Sequence, residues 1–181
     1  EHKINAELIS SKKIINYFKK NKPVSPFGKL RLGEALIIAE EIERGKKLIK
    51  ENFIIANLTN SELSYFIKNY SEIIKLRDLV SRAEWLAWEN KFNQLKSLMP
   101  YLPKEYKALY KARYLLAIRL HGVEYAIKNV PNKYKNNQGL LYQRLQLKIK
   151  KDKIDSALNL LLKAKSDKKN FNRPDKFWNA T

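Results

Sequence analysis

The sequence predicts an all-α fold, an α-solenoid or superhelix of antiparallel helix pairs, and three observations carry that expectation. Arg82, Arg113 and Arg144 stand 31 residues apart, and apolar sets move with them at the same interval: Phe92/Val123/Ile154, Leu95/Ala126/Ala157 and Met99/Val130/Leu161. Self-similarity at a period between about 20 and 50 residues marks stacked units, none of which can bury its apolar face alone. Within one period the spacing is helical: Ile154, Ala157, Leu158, Leu161 and Leu162 fall at i, i+3, i+4, i+7 and i+8, the stripe of an amphipathic helix. Strand alternation and Asn-Gly turns are hard to find, and only five glycines and six prolines punctuate 181 residues, which argues against β structure.

Leu8, Ile9, Ile14, Ile15 and Phe18 predict an opening helix, ended by Asn21-Lys22-Pro23 and the turn Ser25-Pro26. Leu32, Ala35, Leu36 and Ala39 form the next helical stripe, with Ile42, Leu48 and Ile49 on its antiparallel partner. Thr59-Asn60-Ser61-Glu62 fits a capping box, in which hydroxyl and carboxylate satisfy the first free amides of a helix; Leu63, Phe66 and Ile67 would be its inner side. From residue 75 to 165 the repeat is strict. First helices carry Leu79/Tyr110/Leu141, Ala83/Tyr114/Leu145 and Trp85/Leu116/Leu147, and the middle second helix carries Val123, Ala126, Ile127 and Val130. Breaks fall near Asn90, at His121-Gly122, where His121 reads as a helix C-cap, and near Lys151-Asp152. Two helices per unit of 31 residues come close to the tetratricopeptide period of about 34, but the Trp, Gly and Pro pattern of that repeat is missing and the likeness is architectural.

Residues 1–74 form looser helical pairs, the polar stretches 131–137 and 165–173 read as loops between units, and no shift in composition separates a second domain. A single domain over 1–181 is expected, with 44% hydrophobic residues to supply its core. Pro174 and Asp175 read as the first turn of another helix shortly before Thr181, so a fragment of a longer protein is expected.

Several chemistries find no anchor. Without cysteine there is no disulfide framework and no thiolate zinc site. His2 and His121 are far apart and belong to no His-Glu-x-x-His pattern; Walker loops, dinucleotide fingerprints and Gly-x-Ser-x-Gly elbows are missing, and no metal or cofactor is expected. No apolar run approaches the 18 residues of a bilayer span, and Glu1-His2-Lys3 does not begin a signal peptide. Glu34, Glu40, Glu41, Glu43, Glu84 and Glu89 sit on patterned helices among basic neighbours, so solvated faces and local ion pairs are expected of them rather than a hydrolytic pair.

Charge is the remaining signal: 37 Lys and Arg against 18 Asp and Glu give +19. Nucleic acid phosphates and the carboxylates of peptidoglycan both suit it, and the abundance of lysine, asparagine and isoleucine is also what an AT-rich genome produces without any ligand. The arginine register is sharper. In a solenoid, equivalent positions line up along one surface, so Arg82, Arg113 and Arg144 would form a ladder of bidentate carboxylate grips. The bland alternative, arginines tying neighbouring helices together through carbonyls or acids, is the commoner use of such positions. Tyr142, with Tyr110, Tyr114, Trp85 and Trp88, would stack on sugars if it faced a groove, although aromatics at helical spacing more often belong to a core.

Gly28-Lys-Leu-Arg-Leu-Gly-Glu-Ala-Leu36, Gly139-Leu-Leu-Tyr-Gln-Arg-Leu145, Asp155-Ser-Ala-Leu-Asn-Leu-Leu-Leu162 and Arg173-Pro-Asp-Lys-Phe-Trp178 together resemble the helical region of soluble lytic murein transglycosylases. The resemblance runs from about the Ser25-Pro26 turn to the C-terminus. It implies a curved superhelix ahead of a lysozyme-like domain that cuts the bond between N-acetylmuramic acid and N-acetylglucosamine to a 1,6-anhydro product, in the periplasm. The catalytic glutamate of that family stands in a Glu-Ser dipeptide, which this chain lacks, so the chain by itself is expected to be noncatalytic. Its implied partners are glycan strands and the catalytic domain of the parent enzyme, with Arg82, Arg113, Arg144 and Tyr142 as candidate substrate contacts. The rival expectation is a basic helical-repeat module that binds nucleic acid or adapts one protein to another.

Overall fold

The computed structural model describes residues 9–165, and every regular element among them is helical. The ten α-helices are α1 (Ser11–Lys20), α2 (Pro26–Ile38), α3 (Ile42–Phe53), α4 (Asn60–Asn69), α5 (Leu76–Trp88), α6 (Phe92–Leu98), α7 (Lys104–Ile118), α8 (Val123–Lys128), α9 (Gln138–Lys150) and α10 (Ile154–Lys165). The chain divides into two compact units, Glu1–Leu86 and Ala87–Thr181. Composition does not mark the boundary, which falls inside α5. Leu8 and the Arg173–Trp178 segment lie outside the described residues.

In the first unit α2 is the central element. Pro26 occupies its first turn, where a missing N–H costs nothing, and the Ser25 hydroxyl accepts from Gly28 N at 2.9 Å. Leu30, Leu32, Gly33, Glu34, Ala35 and Leu36 are all buried, so α2 is covered on more than one side. Ile14 and Phe18 of α1 pack on Leu32, Ala35 and Leu36, and α3 lies against α2. That second crossing is close because both helices present glycine. A Cβ at Gly45 would stand 2.5 Å from Gly33 O and 2.6 Å from Ile37 Cγ1. α4 opens on the capping box: Thr59 Oγ1 accepts from Glu62 N at 3.2 Å, and the Glu62 carboxylate accepts from Thr59 N at 2.7 Å.

In the second unit α6, α8 and α10 begin at Phe92, Val123 and Ile154, 31 residues apart. The first helices keep no such regular start: α5, α7 and α9 begin at Leu76, Lys104 and Gln138, at intervals of 28 and 34. Local chemistry explains the shift. Pro103 sets the start of α7, while a 3-10 turn over Asn132–Tyr134 delays α9 until Asn137 caps it by accepting from Leu140 N at 3.0 Å. Helix reversals rest on left-handed residues, Asn90 (φ 56°) before α6 and Asp152 (φ 54°) before α10. Arg119 (φ 55°) caps α7, in place of the expected His121, and Gly122 (φ 84°) leads into α8. Helix α7 packs against α8 and α9, and α9 against α10, around Leu95, Leu98, Leu109, Tyr110, Leu116, Val130 and Leu140.

Candidate functional site

Arg82 reaches the core of the first unit from α5 and is 1% exposed. Its Nη1 donates to Phe53 O at 2.5 Å, to Ala56 O at 2.9 Å and to Ile54 O at 3.3 Å. Phe53 ends α3, Ile54 is its C-cap and Ala56 lies just beyond it, and the carbonyls of a last helical turn have no intrahelical donors left. A guanidinium there satisfies them and complements the negative end of the helix dipole. Its Cζ also lies 5.2 Å from the Phe53 ring centroid. Burial pulls the Arg82 pKa down to about 10, so it remains a cation at neutral pH.

Arg113 belongs to α7 of the second unit. It is fully buried, its Nε donates to Gln143 Oε1 at 3.2 Å, and its Cζ stands 5.4 Å from the Trp88 ring and 5.8 Å from the Tyr110 ring. Gly139 of α9 lies directly against the guanidinium, where any Cβ would collide with it. Arg144 is half-buried on α9. Tyr142 is half-buried too, with its ring centroid 5.3 Å from that of Trp88. Arg82 and Arg113 are enclosed, and their donors serve a helix end and a neighbouring helix. Of the three arginines, Arg144 alone keeps surface. Tyr110, at 1% exposure, is core.

A cleft of about 460 Å³ opens in the first unit, lined by Ile14, Phe27, Arg31, Glu34, Tyr65 and Phe66 among others. Glu34 is its polar centre. Expected on a solvated face, it is only 4% exposed, because α2 is covered on more than one side. Arg31 Nη1 donates to Glu34 Oε2 at 2.7 Å and the Tyr70 hydroxyl donates to Oε1 at 3.1 Å, so both carboxylate oxygens are engaged. Burial, and then the Glu34 charge, raises the pKa of Tyr70 and of Tyr65 and keeps both hydroxyls protonated. The neighbouring acid, Glu62, is tied into the capping box. Glu34 thus sits in a closed network in which each carboxylate oxygen already has a donor.

The burial of Glu34 has a sequence signal: Leu30, Leu32, Ala35 and Leu36 surround it on more than one helical face. Its partner Tyr70, 36 residues away, has none. Among the described residues no group of three or more His, Cys, Asp or Glu side chains could hold a metal ion, and no helix is long and apolar enough to cross a membrane. Comparison of the chain with protein-family models, with curated proteins and with solved structures gives no match.

Proposed function

We propose that this chain is a noncatalytic scaffold of stacked helical hairpins, an α-solenoid that serves as the peptidoglycan-associated region of a lytic murein transglycosylase in the periplasm. The observation that carries the reading is the regular start of α6, α8 and α10 every 31 residues, in a unit where α7 packs on both α8 and α9 and α9 on α10. Packing of one hairpin on the next is how stacked repeats bury their apolar faces. Residues of the resemblance take part in that packing: Gly139 lies against Arg113, and Leu140, Leu145 and Ala157 are buried. Glycosidic bond cleavage belongs to the catalytic domain of the parent enzyme. This chain shapes and supports that domain and, through its charge of +19, holds the carboxylate-bearing glycan nearby.

Co-sedimentation with purified peptidoglycan sacculi, at low and moderate salt and with competing RNA, tests the binding part. Retention on sacculi at about 150 mM salt, where the Debye length is about 8 Å, and in the presence of RNA is the expected result. Release by salt, or capture by RNA, would reduce the charge to general polyanion attraction and favour a nucleic-acid-binding module instead.

A further inference from the structure

We propose that the cleft between α1, α2 and α4 binds a small zwitterion with an apolar side chain, a free amino acid or a short free peptide. The inference goes beyond the proposed function and draws on neither the net charge nor the stacking behind it. Two charged groups that line the cleft have bonding capacity left over, and they are of opposite sign. On α2, Arg31 donates from Nη1 to Glu34, while its Nε is buried without an acceptor among the described residues. On α4, the Glu62 carboxylate works through Oε2 alone. That oxygen accepts from Thr59 N and from Thr59 Oγ1, and Oε1 has no donor among the described residues. A guanidinium with a donor to spare fits a carboxylate, and a carboxylate with a free oxygen fits an ammonium.

Helix register brings these two groups together. Arg31 stands one turn before Glu34 on α2, Glu62 one turn before Tyr65 on α4, and the Glu34 charge acts on the Tyr65 hydroxyl; a turn is about 5.4 Å. Glu34 itself already accepts from Arg31 and from Tyr70, so it holds the guanidinium in place rather than meeting the ligand. Charge complementarity then narrows the ligand. A simple anion would meet the two acids of the lining and a simple cation would meet Arg31, whereas a zwitterion satisfies both. The rest of the lining suits an apolar side chain: Ile14 and Phe66 form wall, and Ile38 at 69% and Tyr65 at 45% exposure leave apolar surface for it to cover. The volume of about 460 Å³ falls within the 300–1,000 Å³ of small-molecule sites, which fits an amino acid or a short peptide.

Calorimetric and NMR titrations of the full chain with leucine, with leucyl-leucine, and with the N-acetyl and C-amide forms of each test the site. At least one free probe is expected to saturate below about 1 mM, to shift the resonances of Ile38 and Tyr65, and to lose about tenfold or more in affinity when either end is blocked. Glu62→Gln keeps a side chain able to form the capping box. It is expected to weaken the free probe by about the same factor and to leave the N-acetyl form unchanged, whereas a merely structural role for Glu62 would lower every affinity alike. Ile38→Asp, at an exposed position, is expected to weaken all forms. Saturation by leucine assigns a free amino acid and saturation by leucyl-leucine alone assigns a peptide; either supports the site. No saturation by either free probe, affinity indifferent to both blocked ends, or resonance shifts confined to residues outside the cleft would each overturn the proposal.

Discussion

A guanidinium enclosed in a core must find acceptors for its donors, and Arg82 finds them at the C-terminal end of α3 and in the turn that follows it. The exchange is mutual. The carbonyls of Phe53, Ile54 and Ala56 lie within 3.3 Å of Nη1, and each would otherwise be an acceptor removed from water at a cost of about 1–3 kcal/mol. Replacing Arg82 with methionine keeps apolar bulk but removes the donors. Arg82→Met is therefore expected to lower the stability of the full chain by about 3 kcal/mol or more, read as a fall in the urea midpoint with an unchanged slope. Stability within about 0.5 kcal/mol of wild type would mean that Arg82 is a passenger at the end of α3. This residue also shows why a regular charged position misleads. A guanidinium at a fixed interval reads equally as a surface ladder or as an internal tie, and only the position of Phe53 and Ala56 beside it decides between them.

At the scale of elements, the tightest junction is the crossing of α2 and α3, where Gly33 and Gly45 face each other's backbone. An alanine Cβ at Gly45 would meet the carbonyl oxygen of Gly33 at 2.5 Å, and backbone cannot step aside as the end of a side chain can. Overpacking of this kind costs roughly 1–3 kcal/mol, whereas glycine to alanine in an open helix interior gains about 1 kcal/mol. The sign of the change is thus diagnostic. Gly45→Ala is expected to lower the melting temperature, and a rise would show that α2 and α3 separate easily. Helices themselves were legible from spacing: Leu32/Ala35/Leu36 lie on α2, the Thr59–Glu62 box opens α4, and Phe92, Val123 and Ile154 open α6, α8 and α10. Glycines 33 and 45 were not legible as partners, because nothing local in either helix says which glycine it will meet. Nor was the uneven start of α7 and α9, which Pro103 and the Asn132–Tyr134 turn impose on an otherwise regular count.

For the whole molecule the dominant fact is an excess of 19 positive charges over 181 residues. The exposed ion pairs, Arg44–Glu41 and Lys46–Glu43 at 2.9 Å, with Lys47–Glu51, Lys75–Glu72 and Lys133–Glu105, are worth about 0–1 kcal/mol each. With 37 cations and 18 anions, at least half of the cations would remain without an acidic partner even if every carboxylate were paired. Salt acts on both terms in opposite directions: it weakens the local pairs and screens the mutual repulsion of the excess lysines and arginines. Because repulsion acts among many charges separated by more than one contact distance, it is the term most reduced when the Debye length falls from about 30 Å at 0.01 M to about 8 Å at 0.15 M. Thermal melts followed by circular dichroism are accordingly expected to shift upward over that range. The same change in salt that steadies the fold weakens any attraction to a polyanion, so the two readouts should move apart: stability upward, nonspecific binding downward. A melting temperature that instead fell with salt would mean that the surface pairs outweigh the net repulsion and that the charge is arranged to hold the fold. Charge so arranged would no longer support the polyanion half of the proposed function.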